Sequence, residues 1–180
     1  MFYVCYVWYS IGMSQKTRSS KKTKKIPLSQ GKFAIVDADD YAWLAQWKWS
    51  YNKGYAIRNK YSERVGGKVR AEGIRMHREI LSAPKGMQVD HVDGNGLNNT
   101  RENLRICSSQ QNNRNRKAVE GTSKFKGVTV YCPGEKWFAQ IWVNKKSIFL
   151  GYFKDEKEAA RAYNEAAKKH FGEFARLNEV

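Results

Sequence analysis

With Lys and Arg numbering 33 against 17 Asp and Glu, this 180-residue chain carries a net charge of +16 and an isoelectric point near 9.8. Such an excess repels itself in a compact state and is relieved by a polyanion, so nucleic acid is the expected partner, and a membrane surface is disfavoured because no long basic amphipathic helix is visible. The length suits one medium domain or two small ones, and 13% aromatic residues leave neither half short of core material.

Met1 to Gly12 is apolar and aromatic, but too short for a bilayer span of about 20 residues. It also lacks the basic start and cleavage site of a signal peptide, and Met13 is the expected true start. Ser14 to Lys25 is basic and Ser-rich, so residues 1–25 are expected to form a disordered arm. Phe33 to Val36 predicts a short strand, and Asp39-Asp40 the start of a brief helix carrying Tyr41, Trp43, Leu44 and Trp47. Lys48 to Tyr51 and Tyr55 to Arg58 flank Asn52-Lys53-Gly54, a hairpin turn. The tryptophans of this region are expected in the core.

Met87 to Asn115 reads differently, with a strand around Val89 and a second at Leu104 to Cys107. Between them Asp93-Gly94-Asn95-Gly96 supplies residues that tolerate positive φ. Ser108 with Gln111 is a capping-box pair, so a helix should begin just after Ser108. Ala118 to Ser123 is a small linker. Strands are predicted at Phe125 to Tyr131, Lys136 to Val143 and Ser147 to Phe153, with turns at Cys132-Pro133-Gly134 and Asn144-Lys145-Lys146. A helix follows from about Glu156 to His170, N-capped by Asp155, with Glu158 placed to reach back. Its residues Ala159, Ala162, Tyr163, Ala166 and Ala167 share one face and can lie close to a sheet.

Strand, polar loop, strand and helix can bring Asp90, His91 and Asn112 to one point. A carboxylate and an amide oxygen are hard ligands suited to Mg²⁺, or to Mn²⁺, with positions left for substrate oxygens. An adjacent imidazole can take a proton from an attacking water near neutral pH. An open cation site beside a base in a basic protein points to phosphodiester hydrolysis. Asn113 and Asn115 lie close enough to Asn112 that the amide ligand stays open among them. Cys5, Cys107 and Cys132 are far apart and form no C-x-x-C pair, so neither a structural zinc nor a disulfide framework is expected, and a reducing setting fits.

His77-Arg78, Val89-Asp-His-Val-Asp-Gly-Asn95, Asn98-Asn99, Glu102-Asn-Leu-Arg105 and Gln110-Gln-Asn-Asn113 together resemble the phage-type HNH endonucleases, over about Met76 to Asn115. The resemblance implies His91 as general base, Asp90 and Asn112 as metal ligands, and Asn103 as the residue that braces the loop. Asp93, Gly94 and Asn95 are expected to shape the loop. His77 has a counterpart in the family without an assigned role, and a packed, hydrogen-bonded histidine is expected there. Without the paired cysteines of some relatives, the loop must be held by packing and hydrogen bonds.

Along the middle C-terminal strand Trp137, Ala139, Ile141 and Val143 share one face, and Lys136, Phe138, Gln140 and Trp142 the other. Ser123-Lys-Phe-Lys-Gly-Val128, Lys136-Trp137, Leu150-Gly-Tyr-Phe153, Glu158 to Asn164 and Ala175-Arg-Leu-Asn178 resemble the APETALA-two/ethylene-response-factor DNA-binding domain. By position, Lys126, Thr129, Tyr131, Lys136, Gln140, Trp142, Ser147 and Phe149 fall on that family's DNA face. Plant members carry several arginines on that face where this chain has Thr129, Tyr131, Trp142 and Ser147, so the plant target does not carry over, and Trp142 and Ser147 in place of arginine imply fewer guanine contacts.

The expected fold class is α+β: a ββα-metal (HNH) nuclease domain at 26–117, a linker at 118–122, and at 123–180 a small three-stranded antiparallel sheet packed on one helix. The expected function is a homing or mobile-element endonuclease that needs Mg²⁺ or Mn²⁺. It is expected to act as a monomer on double-stranded DNA, to nick one strand, and to work in the cytoplasm of the host cell if phage-encoded. The alternative is a non-catalytic DNA-binding regulator that retains an HNH fold.

Overall fold

The computed structural model describes residues 22–61, 71–118, 121–131 and 136–180. The alternative start at Met13, the arm up to Lys21, linker residues Val119 and Glu120, and the turn at Cys132-Pro133-Gly134 lie outside the described residues. The rest is mixed α and β, with small antiparallel sheets and few helices.

Thr23 to Lys25, expected in the arm, belong instead to strand β1 (Thr23–Pro27), paired with β2 (Phe33–Asp37). The reason is Ile26, 2% exposed, which sits opposite Ala34 and draws its lysine neighbours into register. Helix α1 (Ala38–Ala45) follows, and its Leu44 joins a core with Ile26, Val36, Trp49, Met76, Ile80, Val89 and Leu104. The expectation for the tryptophans holds for Trp49, 3% exposed, but Trp47 is 43% exposed and lies under the Arg58 guanidinium at 4.3 Å. Strands β3 (Ser50–Asn52) and β4 (Tyr55–Tyr61) form the expected hairpin, with Lys53 and Gly54 both at positive φ. Strand β5 (Ala71–Arg75) completes this sheet, and the one-turn helix α2 (Met76–Ile80) buries Met76, His77 and Ile80.

Next come β6 (Gln88–His91) and β7 (Leu104–Cys107), paired antiparallel with Asp90 opposite Arg105, and then α3 (Ser109–Arg114). The capping box is complete: Ser108 Oγ accepts from Gln111 N at 3.2 Å, and Gln111 Oε1 from Ser108 N at 2.8 Å. Hydrogen bonds from β2 and α1 clamp the β6–β7 loop. Ile35 on the outer edge of β2 donates to Leu97 O at 2.8 Å and accepts from Asn99 N at 2.7 Å. Arg101 reaches Asp40 with two nitrogens, at 2.8 and 2.7 Å, while its backbone N donates to Asp37 Oδ2. Asp37 and Asp40 are therefore spent on the loop, and Asp37 makes no side-chain cap for α1.

In the C-terminal part, β8 (Val128–Tyr131), β9 (Lys136–Val143) and β10 (Lys146–Phe153) make a sheet ordered β10-β9-β8, followed by helix α4 (Glu156–Phe171). Asp155 caps α4, accepting from Glu158 N at 3.1 Å. Ala139 clusters with Val128, Ala159 and Ala160, and Ile141 with Tyr163, Ala167 and Phe171. These clusters are separate from the core of the first hundred residues. A bulge between Phe149 and Gly151 resets the alternation of β10, so Tyr152 as well as Phe149 comes to the exposed face, 5.1 Å apart between ring centres.

Candidate active site

Asp90 and His91 end strand β6, and Asn112 lies mid-way along α3. All three wall one cleft of about 180 Å³ with Tyr55, Gly94, Gly96, Asn115, Arg116 and Lys117. Gly96 is required for this arrangement. A Cβ there would stand 2.4 Å from Gly54 O and 2.7 Å from Tyr55 Cδ1, so only glycine lets the β3–β4 turn press Tyr55 against the loop.

His91 is 5% exposed. Its Nε2 lies 3.4 Å from Asn99 Oδ1, and Asn99 Nδ2 donates to Gly96 O, which fixes which end of the amide faces the ring. An oxygen at Nε2 selects the tautomer with the proton there, and leaves the Nδ1 lone pair to accept one. Burial lowers His91 below the ordinary imidazole range, while the Asn99 hydrogen bond and the charges of Asp93 and Asp90 pull it back up.

Asp90, 6% exposed, holds Arg105 through Oδ2, at 2.9 Å from Nε and 2.7 Å from Nη2. Asn115 Nδ2 donates to Asp90 Oδ1 at 3.0 Å and to the His91 carbonyl at 2.9 Å. Asn112 Nδ2 donates to Gln88 Oε1 at 2.6 Å, which leaves its Oδ1 as the atom able to take a cation. Among the three asparagines left open by the sequence, Asn112 thus offers an oxygen on the cleft wall, and Asn115 turns its nitrogen to the carboxylate. Asn113 does not line this cleft.

The donors fit a hard cation: Asp90 Oδ1 keeps a lone pair beyond the Asn115 bond, and the amide oxygen of Asn112 belongs to the same chemical class. Among the described residues no group of three or more His, Cys, Asp or Glu gathers to hold a metal ion. A cation here would therefore keep most of its waters.

Asn103, 7% exposed, sits inside the loop. Its Oδ1 accepts from Asp93 N at 3.0 Å, and its Nδ2 donates to Asn98 O at 2.8 Å and Asp93 Oδ1 at 2.9 Å. Asp93 Oδ1 also accepts from Asn95 N, and Gly94 turns at φ +76°. The sequence offers Asn115, one helical turn beyond Asn112, only as an alternative cation ligand, and it gives Asn99 and Arg105 no role of their own, although Arg105 faces Asp90 across the β6–β7 ladder.

His77 is packed as expected, 3% exposed with its ring edge-on to His91 at 5.0 Å and 88°, but against expectation its Nδ1 has no hydrogen-bond partner, because the groups around it are rings. Burial, then the charges of His91, Arg75 and Arg78, lower its pKa from 6.5 to about 3. Above pH 6.5 the group is neutral in folded and unfolded chains alike and contributes nothing to the pH dependence. Below that, the unfolded chain takes up a proton that the folded chain refuses, so stability falls with pH until about 3. At pH 5 the loss from this residue is about 2 kcal/mol. Unfolding free energies from urea titrations at pH 7 and pH 5 are expected to drop for the parent and to drop less, by about 2 kcal/mol, for His77→Phe. Parallel curves would exclude the neutral buried form.

On the C-terminal sheet, Thr129, Tyr131, Lys136, Gln140, Trp142, Ser147 and Phe149 occupy the face away from α4. Trp142 is 63% exposed, and Ser147 Oγ donates to Gln140 Oε1 at 2.7 Å. Lys126 departs from its expected place. Strand β8 starts only at Val128, and the Lys126 ammonium turns to the carbonyls of Arg114 (2.5 Å) and Arg116 (2.7 Å), behind α3. No helix among the described residues is long and apolar enough to cross a membrane.

A family model described as HNH endonuclease matches residues 82–114. Over 158 residues, 84% of this chain and 77% of the relative, the chain is 30% identical to an uncharacterized HNH endonuclease of Acanthamoeba polyphaga mimivirus. Protein 3.8 of Escherichia phage T7 is 40% identical over 78 residues, 40% of this chain and 64% of that protein. The C-terminal part is similar to plant AP2 domains. One example is the APETALA2-like protein 2 of Oryza sativa subsp. japonica, 47% identical over 62 residues, which are 33% of this chain but only 14% of that protein.

Proposed function

This chain belongs to the HNH endonuclease family, and from that premise we propose that it is a Mg²⁺- or Mn²⁺-dependent DNA endonuclease of mobile-element type. It hydrolyses one phosphodiester per engagement and is held on its target by the C-terminal sheet. The observation that carries this reading is the pairing, in one cleft, of a buried His91 whose Nδ1 is free with the oxygens of Asp90 and Asn112.

Asp90 Oδ1 and Asn112 Oδ1 would hold the cation, which when bound supplies Lewis-acid stabilisation of the charge growing on the leaving oxygen. Arg105 and Asn115 keep the Asp90 carboxylate oriented. His91 Nδ1 removes the proton from a water as its oxygen attacks phosphorus, the new P–O bond forms, and the bond to the leaving alkoxide breaks. Asn99 holds Nε2 so that the accepting nitrogen faces the cleft, and Asn103 holds the loop behind the ring.

The separate cores support a division into a nuclease at 26–117, a linker at 118–122 and a reading module at 123–180. In that module Thr129, Tyr131, Lys136, Gln140, Trp142, Ser147 and Phe149, joined by Tyr152, face the major groove of double-stranded DNA. One ββα site per monomer attacks one strand. Supercoiled plasmid is therefore expected to become open circles, and only when Mg²⁺ or Mn²⁺ is present. If plasmid stays intact with either cation while DNA is still bound, the chain is a DNA-binding regulator with an HNH fold.

A further inference from the structure

A seam of unneutralised positive charge leads out of the active-site cleft toward the C-terminal sheet. Arg116 and Lys117 wall the cleft that contains Asp90, His91 and Asn112. Lys117 also walls two neighbouring hollows. One, of about 380 Å³, runs past Thr122 and Lys126 to Thr129, and the other, of about 330 Å³, passes Lys124 and Arg176. Two of these cations meet over Gly94, where a Cβ would lie 3.5 Å from Arg176 Nη1 and 3.8 Å from Lys117 Cε. The bare backbone at that turn lets an arginine from the C-terminal tail and the lysine just before the linker approach the catalytic loop together.

Among the described residues no acid forms an ion pair with them. Asp93, next to Gly94, is turned into its own loop by Asn95 N, Asn98 Nδ2 and Asn103 Nδ2, and gives Arg176 only its backbone carbonyl, at 3.2 Å. Among the described residues the ion pairs are Arg58–Glu79, Arg101–Asp40, Arg105–Asp90 and Lys168–Glu165, and none involves Arg116, Lys117, Lys126 or Arg176. Glu179 shares a hollow with Lys117 and Arg176 without pairing to either. The crowding is felt at Lys126, whose ammonium is lowered to about 8 by burial and by the charges of Arg176 and Arg116. Since Lys126 is committed to two carbonyls, the groups left to meet a ligand are Arg116, Lys117 and Arg176.

We propose that this seam binds consecutive phosphodiester groups of the DNA strand beside the scissile one, and guides that strand from the hydrolytic cleft over Gly94 to the sheet face at Thr129. Guanidinium and ammonium groups suit phosphate oxygens, and converging cations that no carboxylate pairs with are relieved by a polyanion. The seam rests on the DNA-hydrolase reading above, and adds to it a fixed path between cutting and reading.

The salt dependence of DNA affinity tests it, because each phosphate contact contributes about −0.9 to the slope of log K against log salt. In a His91→Ala background, anisotropy of a labelled duplex of arbitrary sequence is followed as salt is raised. The variant Arg116→Gln/Lys117→Gln/Arg176→Gln is expected to flatten the slope by about 2 to 3. The variant Lys154→Gln/Lys157→Gln/Lys169→Gln removes the same charge from exposed positions on and just before α4, and is expected to leave the slope as it was. Equal flattening by both triples, or none by the first, overturns the seam and leaves the nuclease reading standing. A parent that binds no DNA overturns both. If the first triple fails to fold, Lys117→Gln alone, at an exposed position, should flatten the slope by about 1, and no change would overturn the proposal.

Discussion

The His91→Ala variant is expected to cleave DNA on the order of 10³-fold more slowly than the parent while binding it within a few-fold as tightly. The two effects separate because of where the imidazole lies. It is 5% exposed and packed against His77 and Tyr55, so it presents almost no surface for DNA to lose. What it contributes is one lone pair, directed by the Asn99 oxygen on the opposite nitrogen. Alanine removes that lone pair, whereas Asp90, Asn112 and the cations of the cleft remain. Single-turnover plasmid nicking and anisotropy on the same preparation measure both quantities. Cutting at close to the parental rate would move the general base elsewhere, and a parallel collapse of binding would mean that the ring supports the fold rather than the reaction.

Arg105→Ala is expected to be the most damaging single change outside the cation's ligands. Arg105 is 15% exposed in its side chain and Asp90 7%, and the two share a pair of hydrogen bonds. The remaining nitrogen donates to the Glu173 carbonyl, and the guanidinium lies 4.2 Å from the centre of the Phe174 ring. Truncation strands a buried carboxylate, a situation that costs about 3–5 kcal/mol, or a fall in melting temperature on the order of 10 °C for a chain of this size. Cleavage should fall as well, since Asp90 keeps only Asn115 of the two groups that orient it. Arg105→Lys keeps the charge but not the fork, and should recover stability better than it recovers cutting. A melting curve that does not move for Arg105→Ala would show that the ion pair is not formed in solution.

The features legible from the sequence are the local ones. Asp90, His91, Asn103 and Asn112 stand at spacings that a hairpin and a helix turn convert directly into proximity, and the Ser108–Gln111 box marks where that helix begins. The alternation of β9 gives its two faces for the same reason. The parts not legible depend on the chain meeting itself at long range. Arg105 and Glu173 are 68 residues apart, and Arg101 reaches Asp40 across 61. The Phe149–Gly151 bulge is a register slip that a strict two-residue period cannot represent, so Tyr152 was missed. Lys126 looked like a strand residue because the stretch from Phe125 is apolar and basic, yet Gly127 turns at φ +75° and delays the strand to Val128. Thr23 to Lys25 looked too polar to fold until Ile26 found Ala34.

The grip of Glu173 and Phe174 on Arg105 bears on how such genes can be reassembled by recombination. A crossover in the linker would seem free to attach any foreign C-terminal unit, because the two hydrophobic cores are separate. A newcomer without a carbonyl and an aromatic ring at those places would leave the guanidinium half-solvated and its acid loosely held. Successful chimaeras should therefore inherit the last few residues of α4 and its following turn together with the nuclease, which makes that short tract, rather than the linker, the natural seam of exchange.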